Sequence, residues 1–340
     1  MNQKVAVVIL NFNGKRFLER FLPGVIDRSK EIAEVIVADN ASTDDSVDFL
    51  KTNFPEIRLI QNPTNGGFAA GYNRALKLID TQYYVLLNSD IEVSEGWLQP
   101  LLELLESDTQ IAACQPKLLS FADNAYFEYA GAAGGFIDKF GYPFCRGRLF
   151  QHVEKDVGQY DDLFEVFWAS GACMFVRADL YHKFGGLDSD FFAHMEEIDF
   201  CWQLKNQGFK IMYCPNSVVY HIGGGTLPKN SPRKTYLNFR NNLSMLYKNL
   251  PPSFFSYVII TRLFLDGVAS FKFLIEGGVG DFLAVLRAHL HFYRKLPALR
   301  AKRRIIQPKN VTRVFKKNIV IEYFIKKKDT FDQFDQRFFS

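Results

Sequence analysis

Four short apolar runs frame this chain: "VAVVIL" at 5–10, "EVIVAD" at 34–39, "EIRLIQN" at 56–62 and "YYVLLNSD" at 83–90. Each is strand-sized and rich in β-branched or aromatic residues, the pattern of a buried strand. Between them lie a helical stretch at 15–28, another near 44–52 after a Ser/Thr/Asp cap, and a third opened by "GGFAAGYNRALKLID". A helix at 96–106 and a strand at 111–119 continue the series. The alternation predicts an α/β fold on a mainly parallel sheet flanked by helices. Ligands of such sheets bind beyond the carboxyl ends of the strands. Asn11–Asn13, Asp39–Asn40 and Asn88–Asp90 each follow a strand end, so three polar clusters are expected on one edge.

Further along, "AGAAGGFIDKFGYP" at 130–143 reads as a Gly-rich hairpin or mobile loop. "ASGACMFVRADLYHKFGG" gives a strand and a helix, 196–207 is helical in pattern, and 209–213 is a further strand before "VVYHIGGG". From about 236 the pattern changes to long apolar and basic helical segments. "GGGTLPKNSPRK" reads as the linker between a body of residues 1–228 and a C-terminal segment of residues 229–340. The net charge of +4 is unevenly spread: residues 285–328 hold fourteen Lys and Arg against one acid, Glu322. A basic tail on an acidic body predicts an anionic partner for the tail, either nucleic acid or the cytoplasmic membrane face. The five cysteines form no CxxC pair and read as reduced thiols of a cytoplasmic protein. The N-terminal apolar run lacks the length and the cleavage site of a signal peptide.

An aspartate at a buried strand end can hydrogen-bond a nucleotide or hold a metal on a diphosphate. The turn after the first strand is "NFNGKR", which lacks the glycine fingerprint of nicotinamide enzymes and the Gly-rich, Arg-bearing loop of nucleotidyltransferases. A phosphate-binding GxxxxGK[ST] loop is also absent. Asn11, Asn13 and Asn65 stand beside glycines and read equally well as turn residues. Asp44 or Asp45 reads as a helix cap.

"VAVVILNFNG", "VIVADNASTDDS", "NPTNGGFAAGYNRAL", "YYVLLNSDIEV", "GACMFVRADL" and "EEIDFCWQLKNQGFKIMYCPNSVVYHIGGGT" occur in order across residues 5–226. Together they resemble the successive blocks of family 2 glycosyltransferases with the GT-A fold, a Rossmann-like architecture, and most of all the rhamnosyltransferase-like members that build bacterial surface polysaccharides. The resemblance implies a nucleoside-diphosphate sugar donor. Phe12 and Asn13 would sit against the base, and Asp39 would accept from its ring N–H with Asn40 nearby. Asn65, Gly67, Phe68 and Asn73 would line the ribose and diphosphate. Asn88, Ser89 and Asp90 match the family's DxD motif, with Asn88 where Asp is frequent. Asp90 would hold Mg²⁺ or Mn²⁺, and His221 matches a position that completes the metal shell.

The segment "FFAHMEEIDFCW", 191–202, groups Glu196, Glu197 and Asp199 among aromatics. Acids in a first helical turn gain about 0.3–1 kcal/mol each from the helix dipole, but that does not explain the aromatic surroundings. Sugar transfer needs a base for the acceptor hydroxyl and positive charge on the leaving diphosphate. The resemblance assigns the base to Glu197, where the family usually has Asp. Its extra methylene requires a backbone set farther from the acceptor, or else the role passes to Glu196. Asp199 is a candidate to orient a neighbour or bind an acceptor hydroxyl. Trp168 reads as core or as acceptor wall, and Gly171 is grouped with it on the acceptor side.

Residues 254–275 are long enough to span a bilayer but carry Arg262, Asp266 and Lys272. A helix lying in the membrane interface is therefore expected, with Arg262 and Asp266 paired along it. The acceptor expected on this reading is a saccharide, carried on a lipid, at the inner face of the cell membrane. Two other readings compete: a sugar-nucleotide-binding protein without activity, and a nucleic-acid binder using the tail. The tail lacks an interleaved aromatic platform, and the acidic body would repel phosphate, so no nucleic acid is expected.

Overall fold

The apolar runs form the centre of a nine-stranded sheet in the computed structural model, which describes residues 3–223 and 231–340. Strands β1 (Val5–Asn11), β2 (Ala33–Asp39), β3 (Arg58–Gln61) and β4 (Tyr83–Asn88) are the four expected runs. They are followed by β5 (Ile91–Val93) and β6 (Ile111–Ser120). A small sheet then begins with β7 (Gly135–Asp138), β8 (Pro143–Cys145), β9 (Arg148–Leu149) and β10 (His152–Val153). Strands β11 (Phe164–Val166), β12 (Cys173–Arg177) and β13 (Lys210–His221) return to the large sheet, and β14 (Val314–Phe315) closes the small one against β7. The large sheet runs β11-β13-β6-β12-β4-β1-β2-β3, with β5 paired to β13.

Helices α1 (Lys15–Ser29) and α4 (Gln99–Ser107) cover one face, where Leu18, Leu22 and Leu101 pack on Val7 and Ile9. Helix α2 (Ser46–Asn53) lies between β2 and β3 in the chain. On the opposite face α3 (Gly67–Leu76), α5 (Ala178–Lys183) and α6 (Glu196–Asn206) bring Tyr72, Tyr181 and Trp202 into a cluster with Ala6 and Val8. Alternate residues of β1 thus serve opposite layers, which is why the run is apolar throughout.

The sheet corrects one expectation: it is mixed rather than mainly parallel. Pairs β1–β2, β1–β4, β2–β3 and β6–β13 are parallel, whereas β12 runs antiparallel to both β4 and β6. After β6 the chain makes its small-sheet excursion instead of a helical crossover, and a return without a crossover enters in the reverse direction. The last strand also extends beyond the expected 209–213. Its register shifts between Cys214 and Val218, around Pro215, and pairing with β6 then continues to His221.

Most of the expected linker lies outside the described residues. Helix α7 (Pro232–Asn249) starts with Pro at its first position and with the Ser231 hydroxyl accepting from Lys234 N at 3.2 Å. Helices α8 (Phe255–Ile275) and α9 (Val279–Ile306) follow. The C-terminal segment shares a core with the body: Phe315, Phe331, Phe334 and Phe339 cluster with Phe136 and Phe144. No described helix is long and apolar enough to cross a membrane.

Trp168 belongs to this interior and not to an acceptor wall. It is 3% exposed, its indole N–H donates to Phe136 O at 3.0 Å, and its ring fills the space a Cβ at Gly135 would need. Trp168→Ala is expected to lose about 3–5 kcal/mol of stability in urea denaturation. A wall residue would instead raise the acceptor KM and leave stability unchanged.

Candidate functional site

The parallel strands β4, β1 and β2 end level with one another, which brings Asn88, Asn11 and Asp39 side by side. Asp39 is buried and accepts from Asn11 Nδ2 at 3.1 Å, Ser42 N at 2.9 Å and Ser42 Oγ at 2.5 Å. Asn40 donates to Asn65 Oδ1 and Gly67 O and accepts from Asn62 Nδ2, which ties β2 to the start of α3. Asn65 also accepts from Gly67 N at 2.9 Å. Gly67 has φ +78°, and a Cβ there would lie 2.3 Å from Phe192 O, so the position requires glycine on two counts. Phe68 N donates to that same carbonyl at 2.7 Å. Phe12 stays exposed at the β1 end, open to a stacked ring.

Two residues of the expected donor group are engaged elsewhere. Asn13 adopts left-handed backbone at φ 50°, and its Oδ1 accepts from Thr43 N and Asp44 N. It is the turn residue that its glycine neighbour also allowed. Asn73 donates to Leu187 O and accepts from Tyr181 Oη and Leu187 N, so it fixes the 187–189 loop and is not free to line a ribose.

The expected metal position lies at the end of β4. Pairing of β5 with β13 sets His221 opposite Ile91, next to Asp90. His221 Nε2 lies 3.1 Å from Asp90 Oδ1 and 3.5 Å from Asn88 Nδ2. Ser89 is half-buried and borders Gly14. Glu128, which nothing in the sequence singled out, lies 3.3 Å from His221 Nδ1. A carboxylate behind a histidine in this way orients the ring for a metal. Although burial opposes it, the bonds and charges of Asp90 and Glu128 push His221 up to about 10, and Asp90 is held below its ordinary range by His221. Among the described residues no three His, Cys, Asp or Glu side chains form a closed metal cage. Asp90 and His221, both buried beside the end of β4, would offer two ligands to Mg²⁺ or Mn²⁺, which take their remaining ligands from phosphates and water.

The acid cluster divides into three environments. Glu197 is partly buried, its Cβ lies across from Gly171, which also borders the Phe68 ring, and its buried Oε2 has no hydrogen-bond partner. Burial pushes it up to about 7, partly offset by the N–H groups of Glu197 and Ile198 at the helix start. Glu196 is buried, and burial together with the neighbouring Glu197 pushes it well above its ordinary value. Asp199 is turned from the cleft into the protein: it is fully buried and accepts from Lys248 Nζ at 2.7 Å, Asn249 Nδ2 at 2.8 Å and Gln203 Nε2 at 2.8 Å. Its carboxylate is out of reach of an acceptor hydroxyl because it is closed off from the cleft by burial.

The turn before α6 holds Phe192, His194 and Met195 at positive φ. Such backbone persists only where surroundings over-determine it, and α7 does so here. Asn241 Nδ2 donates to the carbonyls of Phe191, Ala193 and His194, and Arg240 Nη2 to those of Asp190 and Phe191. Lys248 Nζ bridges Asp188 at 2.5 Å and Asp199 at 2.7 Å. The sequence held one signal of this clasp: "RNN" places weak helix formers in mid-helix, and both asparagines are buried.

These features define a mixed α/β nucleotide-sugar fold of the GT-A type, and solved structures share it. GalNAc-T7 with UDP, GalNAc and Mn²⁺ matches at a TM-score of 0.56 and 16% identity over 73% of this chain and 48% of that one. A Pyrobaculum calidifontis mannosyltransferase with GDP-Man and Mn²⁺ matches at 0.52 and 13% identity over 96% of this chain and 89% of that one. The family model "Glycosyl transferase family 2" matches residues 6–185, and the chain belongs to that family. It is a glycosyltransferase of rhamnosyltransferase-like sequence. An N-acetylglucosaminyl-diphospho-decaprenol L-rhamnosyltransferase of Mycobacterium tuberculosis is 24% identical over 65% of this chain and 76% of its own length. A low-salt glycan biosynthesis hexosyltransferase of Haloferax volcanii is 23% identical over 71% of this chain and 75% of its own.

Lys248→Met should destabilise the protein by about 3–5 kcal/mol, because it leaves the buried Asp199 carboxylate without a cation, while Asp188 keeps Lys302 at 2.6 Å. Thermal or denaturant unfolding reads this directly, and a change below about 1 kcal/mol would mean the clasp is not held by this charge.

Proposed function

We propose that this glycosyltransferase moves a sugar from a nucleoside-diphosphate sugar to a hydroxyl of a lipid-linked saccharide, in a single inverting displacement with Glu197 as base. The observation that carries the reading is the Glu197 carboxylate: partly buried across from Gly171, with one buried oxygen that has no partner and a pKa pushed up to about 7 by burial. A base works best when its pKa lies near the working pH. The acceptor oxygen bonds to the anomeric carbon, the bond from that carbon to the diphosphate breaks, and the hydroxyl proton passes to Glu197. Glu196 lies deeper and is disfavoured as an ionised base by its burial and by its neighbour. Asp90 and His221 would hold Mg²⁺ or Mn²⁺, whose charge stabilises a leaving diphosphate. Asp39, Asn40, Asn65, Gly67 and Phe68 shape the donor side, with Phe12 placed to stack on the base.

Support for a lipid-linked acceptor comes from the name of the mycobacterial relative and from the surface of α8. Tyr257, Ile260, Phe264, Val268, Phe271 and Ile275 form an exposed apolar stripe along one side of that helix. Arg262 and Asp266 turn inward and pair at 3.1 Å, so the outer face carries apolar side chains at helical spacing. A stripe of this kind beside a basic tail suits the surface of an anionic membrane, with the protein peripheral at its inner face.

Glu197→Gln should reduce kcat by about a thousandfold or more, consistent with loss of general-base catalysis, while nucleotide-sugar binding with Mn²⁺ is retained. In the unsubstituted enzyme kcat/KM should rise about tenfold per pH unit up to about 7 and then level, because only the carboxylate form can take the proton. Near-normal turnover of the variant, or a flat profile from pH 5 to 8, rejects Glu197.

A further inference from the structure

Helix α9 carries two stripes that run one residue apart in phase. Val279, Leu283, Leu286, Leu290 and Tyr293 are exposed. Gly280, Ala284, Arg287, His291 and Arg294 line a cavity of about 640 Å³ against Pro232, Arg233 and Tyr236 of α7. One residue is about 100° of helix rotation, so the cationic stripe and the apolar stripe lie side by side, and Leu290 belongs to both. The base of the cavity is close-packed: a Cβ at Gly280 would lie 2.9 Å from Pro232 Cγ.

The charge in this cavity is one-signed. Arg233, Arg287, Arg294 and Lys295 line it, and no carboxylate does so among the described residues. Lys295 reaches Asp190 at 3.2 Å, and Arg233 lies over the Phe192 ring at 5.1 Å. Arg287 and Arg294 have no ion pair among the described residues. His291 bonds the Tyr236 hydroxyl, and its pKa is lowered by burial and by Arg240, Lys295 and Arg294 around it. Like charges gathered in one hollow repel unless an anion joins them. Guanidinium groups match the paired oxygens of phosphates.

The cavity also adjoins the reaction cleft. Arg233 rests on Phe192, whose carbonyl receives Phe68 N and closes over Gly67. A diphosphate held by Arg287 and Arg294 would send its lipid chain along Leu286 and Leu290 and its sugar toward the Phe192 wall. We propose that the cavity between α7 and α9 binds the diphosphate of the lipid-anchored acceptor, with the adjoining apolar stripe leading its chain into the membrane. The inference rests on the lipid-linked acceptor reading above, and it adds the site that recognises the anchor.

The test uses the full chain and neutral phosphatidylcholine vesicles doped, at equal surface charge, with either decaprenyl diphosphate or phosphatidylglycerol. The wild type should prefer the diphosphate vesicles by about tenfold or more, the size expected of charge-assisted hydrogen bonds. Arg287→Gln/Arg294→Gln should lose that preference. Arg300→Gln/Arg304→Gln, with the same charge change on equally exposed positions of the same helix that do not line the cavity, should weaken both bindings equally and keep the preference. Thermal stabilisation by nucleotide sugar and Mn²⁺ checks that each variant is folded, and the single variant Arg294→Gln is used if the double one fails that check. A cavity variant that keeps the preference overturns the inference and leaves the acceptor reading standing. A wild type that binds both vesicles alike shows only general attraction to anionic headgroups, and overturns the inference. A wild type that neither binds decaprenyl diphosphate nor transfers sugar to a lipid-linked acceptor overturns both.

Discussion

Lys248 holds the site together. Its ammonium sits between Asp188 and Asp199, where all three side chains are largely out of water. Asp188 also pairs with Lys302 at 2.6 Å, whereas Lys248 is the cation on Asp199, and that buried carboxylate left alone would cost several kcal/mol. This pairing fixes α7 against α6, and α7 then supplies Arg240 and Asn241 to the carbonyls of residues 190–194. That turn cannot relax to ordinary backbone without losing those bonds. Glu197 is therefore placed by a helix that contributes no residue to the proposed base. The same helix leads into α8 and α9, so the surface proposed to meet the membrane and the turn that aims the proposed base share one support.

Most polar groups at the strand ends are bound, although Asn11 Oδ1 is buried without a partner. Near the strand ends Asp39 is bound to Asn11 and Ser42, and Asn40 to Asn65 and Asn62, a network that sets shape before any ligand arrives. On the acceptor side Glu196 and Glu197 each retain a buried oxygen without a partner. Unsatisfied buried acceptors cost free energy, and here part of that cost falls at the residue proposed as base. The aromatic residues around the glutamates lower the local polarity, and this desolvation is what shifts Glu197 toward neutrality.

Reading by motif located strand ends well and side-chain direction poorly. The clusters at Asn11, Asp39 and Asn88 converge because parallel strands in register must end together, a consequence of period and spacing alone. Asn13, Asn73, Asp199 and Trp168 share sequence neighbourhoods with site residues, yet each is engaged in turn, loop or core. A helix places adjacent residues about 100° apart, so Glu197 and Asp199 two positions on face different elements. Glu128 was not legible at all, because it reaches His221 through the pairing of β6 with β13 and the loop that follows β6.

The order of apolar runs, the polar residues at their ends and the charge asymmetry were fixed by the residues themselves, since they depend on local periodicity and composition. They sufficed for an α/β layering, for a cleft at one sheet edge and for a C-terminal helix whose Arg262 and Asp266 pair. Tertiary structure alone decided the direction of β12, the burial that separates Glu196 from Glu197 and the clasp from α7. It also decided the meeting of α7 and α9 around a cationic cavity. All four depend on contacts between residues distant in sequence, and the energy of such a contact comes from which partner is present and whether water is excluded, neither of which is written in any one stretch of chain.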